Sequence, residues 1–247
     1  MTQLLFVHLA KTGGTSVRKI LKASLANSFD CVHHHTLIRF RNGARMHRGQ
    51  FKPSELDPYP LAFLMVRHPV ARLISCYRYF LAGGLNAQAG DRFFPGDQAA
   101  QHFLEQVAPS LEQCCQQLPE IAAQLPHFQP MTLWLDALPN PLADRVFTGR
   151  QERFDADLKM LFDQLQVPLD PILLQRSNSS QPAQSSLSPL PSSSLASGEH
   201  ELSASENSAT ENSASELSTE ALAQLQAFYA EDFRRFNYSL KPAADQP

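Results

Sequence analysis

A short polar turn near the amino terminus carries residue types that bind anions. Its residues are Lys11, Thr12, Gly13, Gly14, Thr15 and Ser16. An apolar run precedes the turn and a segment with helical spacing follows it, so the backbone N–H groups of the turn are expected at a helix N-terminus, where anions bind. The glycines let the backbone approach a ligand, and Lys11 adds a full charge. The turn differs from the nucleotide P-loop GxxxxGK[ST], because the lysine precedes the glycines.

A second group with anion-binding chemistry follows another apolar run, residues 61–66. Arg67 stands at the predicted carboxyl end of that strand, and Ser75 lies on the helix that follows. In open α/β sheets, ligands bind at this edge. An arginine and a hydroxyl that converge there would form a phosphate clamp. Taken alone, the first group is also compatible with an ordinary strand–helix turn, and the second with plain surface charge.

The elements around both groups predict a βαβ arrangement. Residues 4–9 read as a buried strand, followed by a helix that Thr15 or Ser16 would cap. Residues 61–66 read as a second strand, and the next helix is expected to start at Pro69 or Val70 and to end at Gly83-Gly84. Residues 28–60 read as irregular, 97–125 and 154–165 as helical, and 133–138 as ambiguous between strand and helix.

The two groups together resemble the cofactor motifs of the sulfotransferase family, most closely of the carbohydrate sulfotransferases that act on glycosaminoglycans. The resemblance covers residues 4–176 and 218–239 and implies a three-layer α/β/α fold with a central parallel sheet, related to P-loop NTPases. It implies 3′-phosphoadenosine 5′-phosphosulfate (PAPS) as donor and adenosine 3′,5′-bisphosphate (PAP) as product. Arg67 and Ser75 would bind the 3′-phosphate, and His68 stands where the family commonly has aspartate. The 5′-phosphosulfate would be bound by Lys11, Thr12, Gly13, Gly14, Thr15 and Ser16.

The implied reaction transfers a sulfuryl group to an acceptor hydroxyl. The resemblance favours a carbohydrate as the acceptor, and a lipid or a small-molecule alcohol stays open. Lys11 is the predicted catalytic residue for charge that develops on the leaving group. A general base is also required. We predict His47 as this base, with His35 as the second choice, because some related enzymes have a histidine segment shortly before the second motif. The base candidates are His33, His34, His35, His47 and Glu55.

A serine-rich stretch interrupts the carboxyl-terminal third of the chain. Sixteen of the 42 residues from 177 to 218 are serine, with no aromatic residue, lysine or arginine. Such a composition buries too little apolar surface to offset its ordering entropy, so disorder is predicted. We divide the chain into a sulfotransferase core (1–176), a disordered insert (177–217), a helix that docks on the core (218–239) and a disordered tail (240–247).

Charge and composition limit the remaining possibilities. The net charge of −3 argues against nucleic-acid binding, although residues 1–80 hold twelve Lys and Arg against three acids. The four cysteines form no CxxC pair, and no metal site is predicted. The sequence shows neither a signal peptide nor a run long enough to span a membrane, so a cytoplasmic location is expected. The oligomeric state cannot be predicted.

Three other classes of function are alternatives to the sulfotransferase hypothesis. A kinase-like phosphotransferase on the same fold would need a Walker lysine and an acidic Mg²⁺ ligand, and residues 1–80 show neither in a recognisable form. A non-catalytic nucleotide-binding or glycan-binding relic would retain the pocket without the base. Membrane-surface binding would need a basic amphipathic helix, which the sequence lacks.

Overall fold

The computed structural model describes residues 4–26, 28–33, 59–87, 93–136, 138, 140–178 and 217–239. His34, His35, His47 and Glu55 lie outside these ranges, as do most of the serine-rich insert and the tail. The described part contains a sheet of four parallel strands in the order β2-β1-β3-β4. The strands are β1 (Leu4–His8), β2 (Phe29–His33), β3 (Ala62–Val66) and β4 (Val146–Arg150).

Helices follow the strands and cover both faces of the sheet. The α-helices are α1 (Gly14–Leu25), α2 (Pro69–Leu81), α3 (Pro95–Val107), α4 (Leu111–Gln116), α5 (Leu118–Gln124), α6 (Thr132–Asp136), α7 (Asn140–Ala143), α8 (Phe154–Leu165), α9 (Pro171–Asn178), α10 (Thr219–Phe228) and α11 (Ala230–Arg235). Short 3₁₀ helices span Gly84–Ala87, Pro126–Phe128 and Gln151–Arg153. The fold is therefore α/β with an all-parallel sheet, as predicted.

Alternate residues of the central strands point to opposite faces and build two apolar cores. Leu4 and Phe6 of β1 pack with α1 and α8, together with Phe63 of β3. Leu5 and Val7 point the other way, towards α6, α7 and the end of α11. A third core lies among the helices themselves and joins α2, α3, α4, α5, α10 and α11. The two-residue period of a strand explains how one short run supplies both faces.

One segment differs from the sequence predictions, and the structure adds detail to another. Phe29–His33 forms strand β2, whereas residues 28–60 were expected to be irregular throughout. Residues 97–125 are helical, as predicted, and are divided into three helices, because the chain breaks at Ala108 and Ser110 then starts α4 with a capping box. In that box the Ser110 hydroxyl accepts from the Gln113 N–H, and the Gln113 side chain accepts from the Ser110 N–H.

The carboxyl-terminal helices pack against the core after the serine-rich stretch. Ser218 caps α10 by accepting a hydrogen bond from the Ala221 N–H at 3.1 Å. Leu225 and Tyr229 are fully buried in the helical core, and the Tyr229 hydroxyl donates to the Phe128 carbonyl at 2.7 Å. The side chain of Asp232 accepts from the Met131 and Thr132 N–H groups and so caps α6.

Candidate donor-binding site

The turn between β1 and α1 adopts a left-handed backbone at two of its residues. Lys11 has φ 61° and Gly13 has φ 81°. Gly13 is the N-cap of α1, and no side chain caps this helix. The prediction that Thr15 or Ser16 would cap α1 was wrong, because the chain enters the helix earlier, at Gly14. The amino-terminal N–H groups of α1 are therefore available to an anion in a way that a side-chain cap would prevent.

Contacts behind the turn hold its backbone in place. Thr12 is fully buried, and its hydroxyl donates to the Leu9 carbonyl at 3.1 Å. The Thr12 hydroxyl proton is therefore engaged within the turn, where it supports the backbone. The ring of His8 lies against Gly14 so closely that a Cβ on Gly14 would overlap it. Only glycine fits at this position while His8 keeps its place.

The two predicted anion-binding groups lie next to each other in the fold. Strands β1 and β3 are neighbours in the sheet, so the turn after β1 and Arg67 after β3 share its carboxyl edge. The guanidinium of Arg67 is buried and donates from Nη1 to the Lys11 carbonyl at 3.5 Å. Lys11 places its ammonium 4.6 Å from the centroid of the Tyr79 ring. Two cationic side chains thus flank one turn.

Ser75 presents a hydroxyl that no other described residue hydrogen-bonds. The residue lies on α2 with 6% of its surface exposed, and its Oγ is buried without a hydrogen-bond partner among the described residues. Buried polar atoms without partners are uncommon in native proteins, and each calls for an explanation. An oxygen atom of a bound ligand would supply such a partner.

Arg72, from the same motif, has a structural role that the sequence did not reveal. It is almost fully buried, and its guanidinium donates to the carbonyls of Ala10 at 3.2 Å, Gln129 at 2.9 Å and His127 at 2.6 Å. It also lies over the Trp134 ring, 5.5 Å from its centroid. Arg72 therefore ties α2 to the turn and to the segment before α6. The available clue was one arginine among the apolar residues of a predicted helix face.

The end of β4 contributes charged groups to the same edge of the sheet. Glu152 accepts from the His68 N–H at 2.6 Å and from the Tyr238 hydroxyl at 2.9 Å. Arg150 donates from Nη2 to the Phe236 carbonyl at 2.7 Å and lies over the Tyr238 ring. We call residues 236–239 the C-terminal strap, because they cross this edge of the sheet.

His68 connects the strap to the second motif. Its ring nitrogen Nε2 lies 2.7 Å from the Ser239 carbonyl, and the ring meets Phe233 and Tyr238 edge-on. Burial lowers the pKa of His68, while the Ser239 carbonyl acts in the opposite direction. A neutral imidazole that donates its Nε2 proton to this carbonyl fits these contacts.

Within the described ranges, no three His, Cys, Asp or Glu side chains are grouped so that they could hold a metal ion. No helix in the same ranges is both long and apolar enough to cross a membrane. The predicted base His47 and its alternative His35 lie outside these ranges, so their positions relative to Lys11 stay a prediction.

Comparison with known proteins agrees with this fold and edge site. The sequence profile of the Sulfotransferase family matches residues 2–239, which is nearly the whole chain. The chain therefore belongs to the sulfotransferase family. No curated protein and no solved structure matches it. Family membership places the chain among transferases of sulfuryl groups.

Proposed function

We propose that this protein transfers a sulfuryl group from PAPS to an acceptor hydroxyl, and that the acceptor is a carbohydrate. The contact between the Arg67 guanidinium and the Lys11 carbonyl carries the proposal, because it joins the two motifs into one anion site. A donor with phosphate groups at both its 3′ and 5′ positions needs two such anion-binding groups close together. A single phosphate would need only one of them.

The residues of the site fit this donor. The amino-terminal N–H groups of α1 and the turn residues Thr12–Ser16 would hold the 5′-phosphosulfate, with Lys11 beside them. Arg67 and Ser75 would hold the 3′-phosphate. The hydroxyl of Ser75, which has no hydrogen-bond partner among the described residues, supports this assignment, since a phosphate oxygen would accept its proton. The left-handed Gly13 supports the first assignment, because it leaves the N-terminus of α1 without a side-chain cap.

Catalysis in this proposal rests mainly on electrostatics. When bound, PAPS would supply a sulfuryl group already activated by its anhydride link to phosphate. Lys11 would stabilise the negative charge that develops on the leaving phosphate, and the N–H groups of α1 would add fixed dipoles. Arg67 and Ser75 would orient the donor from its other phosphate. His47 stays our predicted base for the acceptor hydroxyl.

A transfer assay tests the reaction and the acceptor class together. Purified protein would be incubated with radiolabelled PAPS and, in parallel, with desulfated glycosaminoglycans, small sugars and simple alcohols. We expect label in the glycan fraction, with transfer about 10²- to 10³-fold slower, and still measurable, in Lys11→Ala. Lys22→Ala is the matched control, because Lys22 is an exposed lysine at the far end of α1. Label in simple alcohols alone would overturn the carbohydrate assignment, and no transfer to any acceptor would favour a non-catalytic binding protein.

A further inference from the structure

The ammonium of Lys11 lies on the face of an aromatic ring outside its own motif. Its Nζ is 4.6 Å from the centroid of Tyr79, which belongs to α2. This distance is well within the ~6 Å range over which a cation and a ring face attract each other. We propose that Tyr79 is a positioning residue for Lys11, which holds the ammonium at the turn before the donor binds. The inference rests on the proposed function.

Tyr79 is itself fixed by contacts at its hydroxyl and at its ring. The hydroxyl donates to Asp97 Oδ2 at 3.1 Å, and the same oxygen accepts from the Leu85 N–H at 2.7 Å. The Phe80 ring packs edge-on at a centroid distance of 5.0 Å. Gly84 lies so close to Asp97 that any Cβ there would overlap the carboxylate. The start of α3 and the turn after α2 therefore anchor the ring.

A ring face restrains a lysine without competing for its hydrogen bonds. A lysine side chain has four rotatable bonds, and ordering it has an entropic cost. An acidic partner would also restrain the ammonium. Its oxygens, however, would accept the N–H groups of Lys11 that the phosphate of PAPS needs. The π-face attracts the charge and leaves those donors available. Asp97 acts on the ring through the Tyr79 hydroxyl.

A double-mutant cycle tests whether Tyr79 acts through Lys11. Tyr79→Leu removes the ring, whereas Tyr79→Phe keeps it and loses only the bond to Asp97. We expect Tyr79→Leu to lower kcat/KM for PAPS by about 2- to 30-fold, the range of a cation–π contact, and Tyr79→Phe to retain most of the activity. In the Lys11→Ala background, Tyr79→Leu should have no further effect.

The contradicting kinetic results are equally specific. An equal loss from Tyr79→Leu with and without Lys11 would show that the ring acts on the fold or on another group. A loss from Tyr79→Phe as large as that from Tyr79→Leu would show that the hydroxyl and Asp97 matter, rather than the ring face. Either result would overturn the proposal. Thermal unfolding of each variant would confirm that the proteins compared are folded.

A spectroscopic measurement tests the contact in the free protein, without any reaction. In protein labelled with ¹³C- and ¹⁵N-lysine, the side-chain resonances of Lys11, assigned by Lys11→Arg, should show an upfield ring-current shift. The shift should persist in Tyr79→Phe and vanish in Tyr79→Leu. If the Lys11 resonances are unshifted in a wild-type protein that binds PAP, the role of Tyr79 is overturned and the proposed function is not. If the Lys11 resonances are shifted but the protein binds no PAP, the proposed function is overturned, and the proposed role of Tyr79 in that function falls with it.

Discussion

At the scale of single residues, the candidate site contains groups that the described part of the chain leaves incompletely satisfied. Ser75 buries a hydroxyl that has no hydrogen-bond partner there, and Gly13 starts α1 without a side-chain cap. Each feature is unfavourable for the free fold, because buried polar groups and helix ends are normally hydrogen-bonded. Donor binding would satisfy both of them. Residues of this kind should affect stability and binding in opposite directions.

Ser75→Ala is the clearest case of such opposite effects. Removing an unsatisfied buried hydroxyl should leave the free energy of unfolding unchanged or raise it by up to about 1 kcal/mol. The same change should weaken PAP binding roughly 10- to 100-fold, since a hydrogen bond to a charged group contributes about 1.5–3 kcal/mol. Chemical denaturation and calorimetry would measure the two effects. A destabilised variant with unchanged PAP affinity would show that Ser75 serves the fold.

At the scale of elements, the sequence predicted the centre of the sheet better than its edges. Strands β1 and β3 are central and buried on both faces, so they read as continuous apolar runs. β2 and β4 form the two edges, and their sequences, FDCVH and VFTGR, mix polar and apolar residues. A short strand with that pattern cannot be distinguished from a loop until its neighbours are known. This is why β2 was missed.

The candidate site shows the same limit. The residues of both motifs could be predicted from the sequence, because their types and spacing are typical of an anion site. The contacts of Arg72, Tyr79 and the C-terminal strap were not, because they join segments that are far apart in the chain. Helix α4 is different, since Pro109 and the Ser110–Gln113 capping box were visible in the sequence. That pattern indicates a helix boundary within the helical segment predicted over 97–125.

The C-terminal strap makes stability depend on pH through His68. Burial holds the pKa of folded His68 below its ordinary value of about 6.5. Below that pH the unfolded chain takes up a proton that the folded chain resists, so stability is lost as pH falls from about 6.5 towards the lower, folded pKa. His68→Asn removes the titration, and its shorter side chain also gives up the hydrogen bond that Nε2 makes to the Ser239 carbonyl.

Denaturation from pH 7.5 to 5 would measure this effect. The fall in stability of the wild type should be smaller in His68→Asn. His102→Asn is the matched control for replacing a histidine, because His102 is exposed on α3 and, in the described part of the chain, makes no contact with the strap. An identical pH dependence in His68→Asn and the wild type would contradict the assignment of His68 as a buried neutral residue.

At the scale of the whole molecule, the carboxyl-terminal helices belong to the same cores as the amino-terminal motifs. Asp232 accepts two backbone N–H groups that start α6, although burial raises its pKa. Phe236 packs beneath the sheet with Trp134. The serine-rich insert separates these helices from the core in the sequence, so we expect the helices to be essential and the length of the insert to be unimportant.

A linker replacement and a truncation test these two expectations. Replacing residues 180–215 with a shorter Gly/Ser linker should leave PAP affinity unchanged within about twofold, because loop-closure entropy changes slowly with length. Truncation after residue 178 should prevent stable folding, since it exposes the apolar residues that α10 and α11 cover. Calorimetry and thermal unfolding would report both results. A large loss of PAP affinity in the linker variant would show that the insert contributes to the site.

The central claim is that one anion site, formed by the turn after β1 and by Arg67 and Ser75, binds a nucleotide with phosphates at its 3′ and 5′ positions. Calorimetric titration with PAP tests it most directly, with Mg²⁺-ATP as the competing ligand and with Lys11→Ala and Arg67→Ala as variants. We expect PAP to bind the wild type tightly, both substitutions to weaken that binding, and Mg²⁺-ATP not to match it. Absence of PAP binding, or preference for Mg²⁺-ATP, would contradict the assignment and favour a kinase-like or non-catalytic protein.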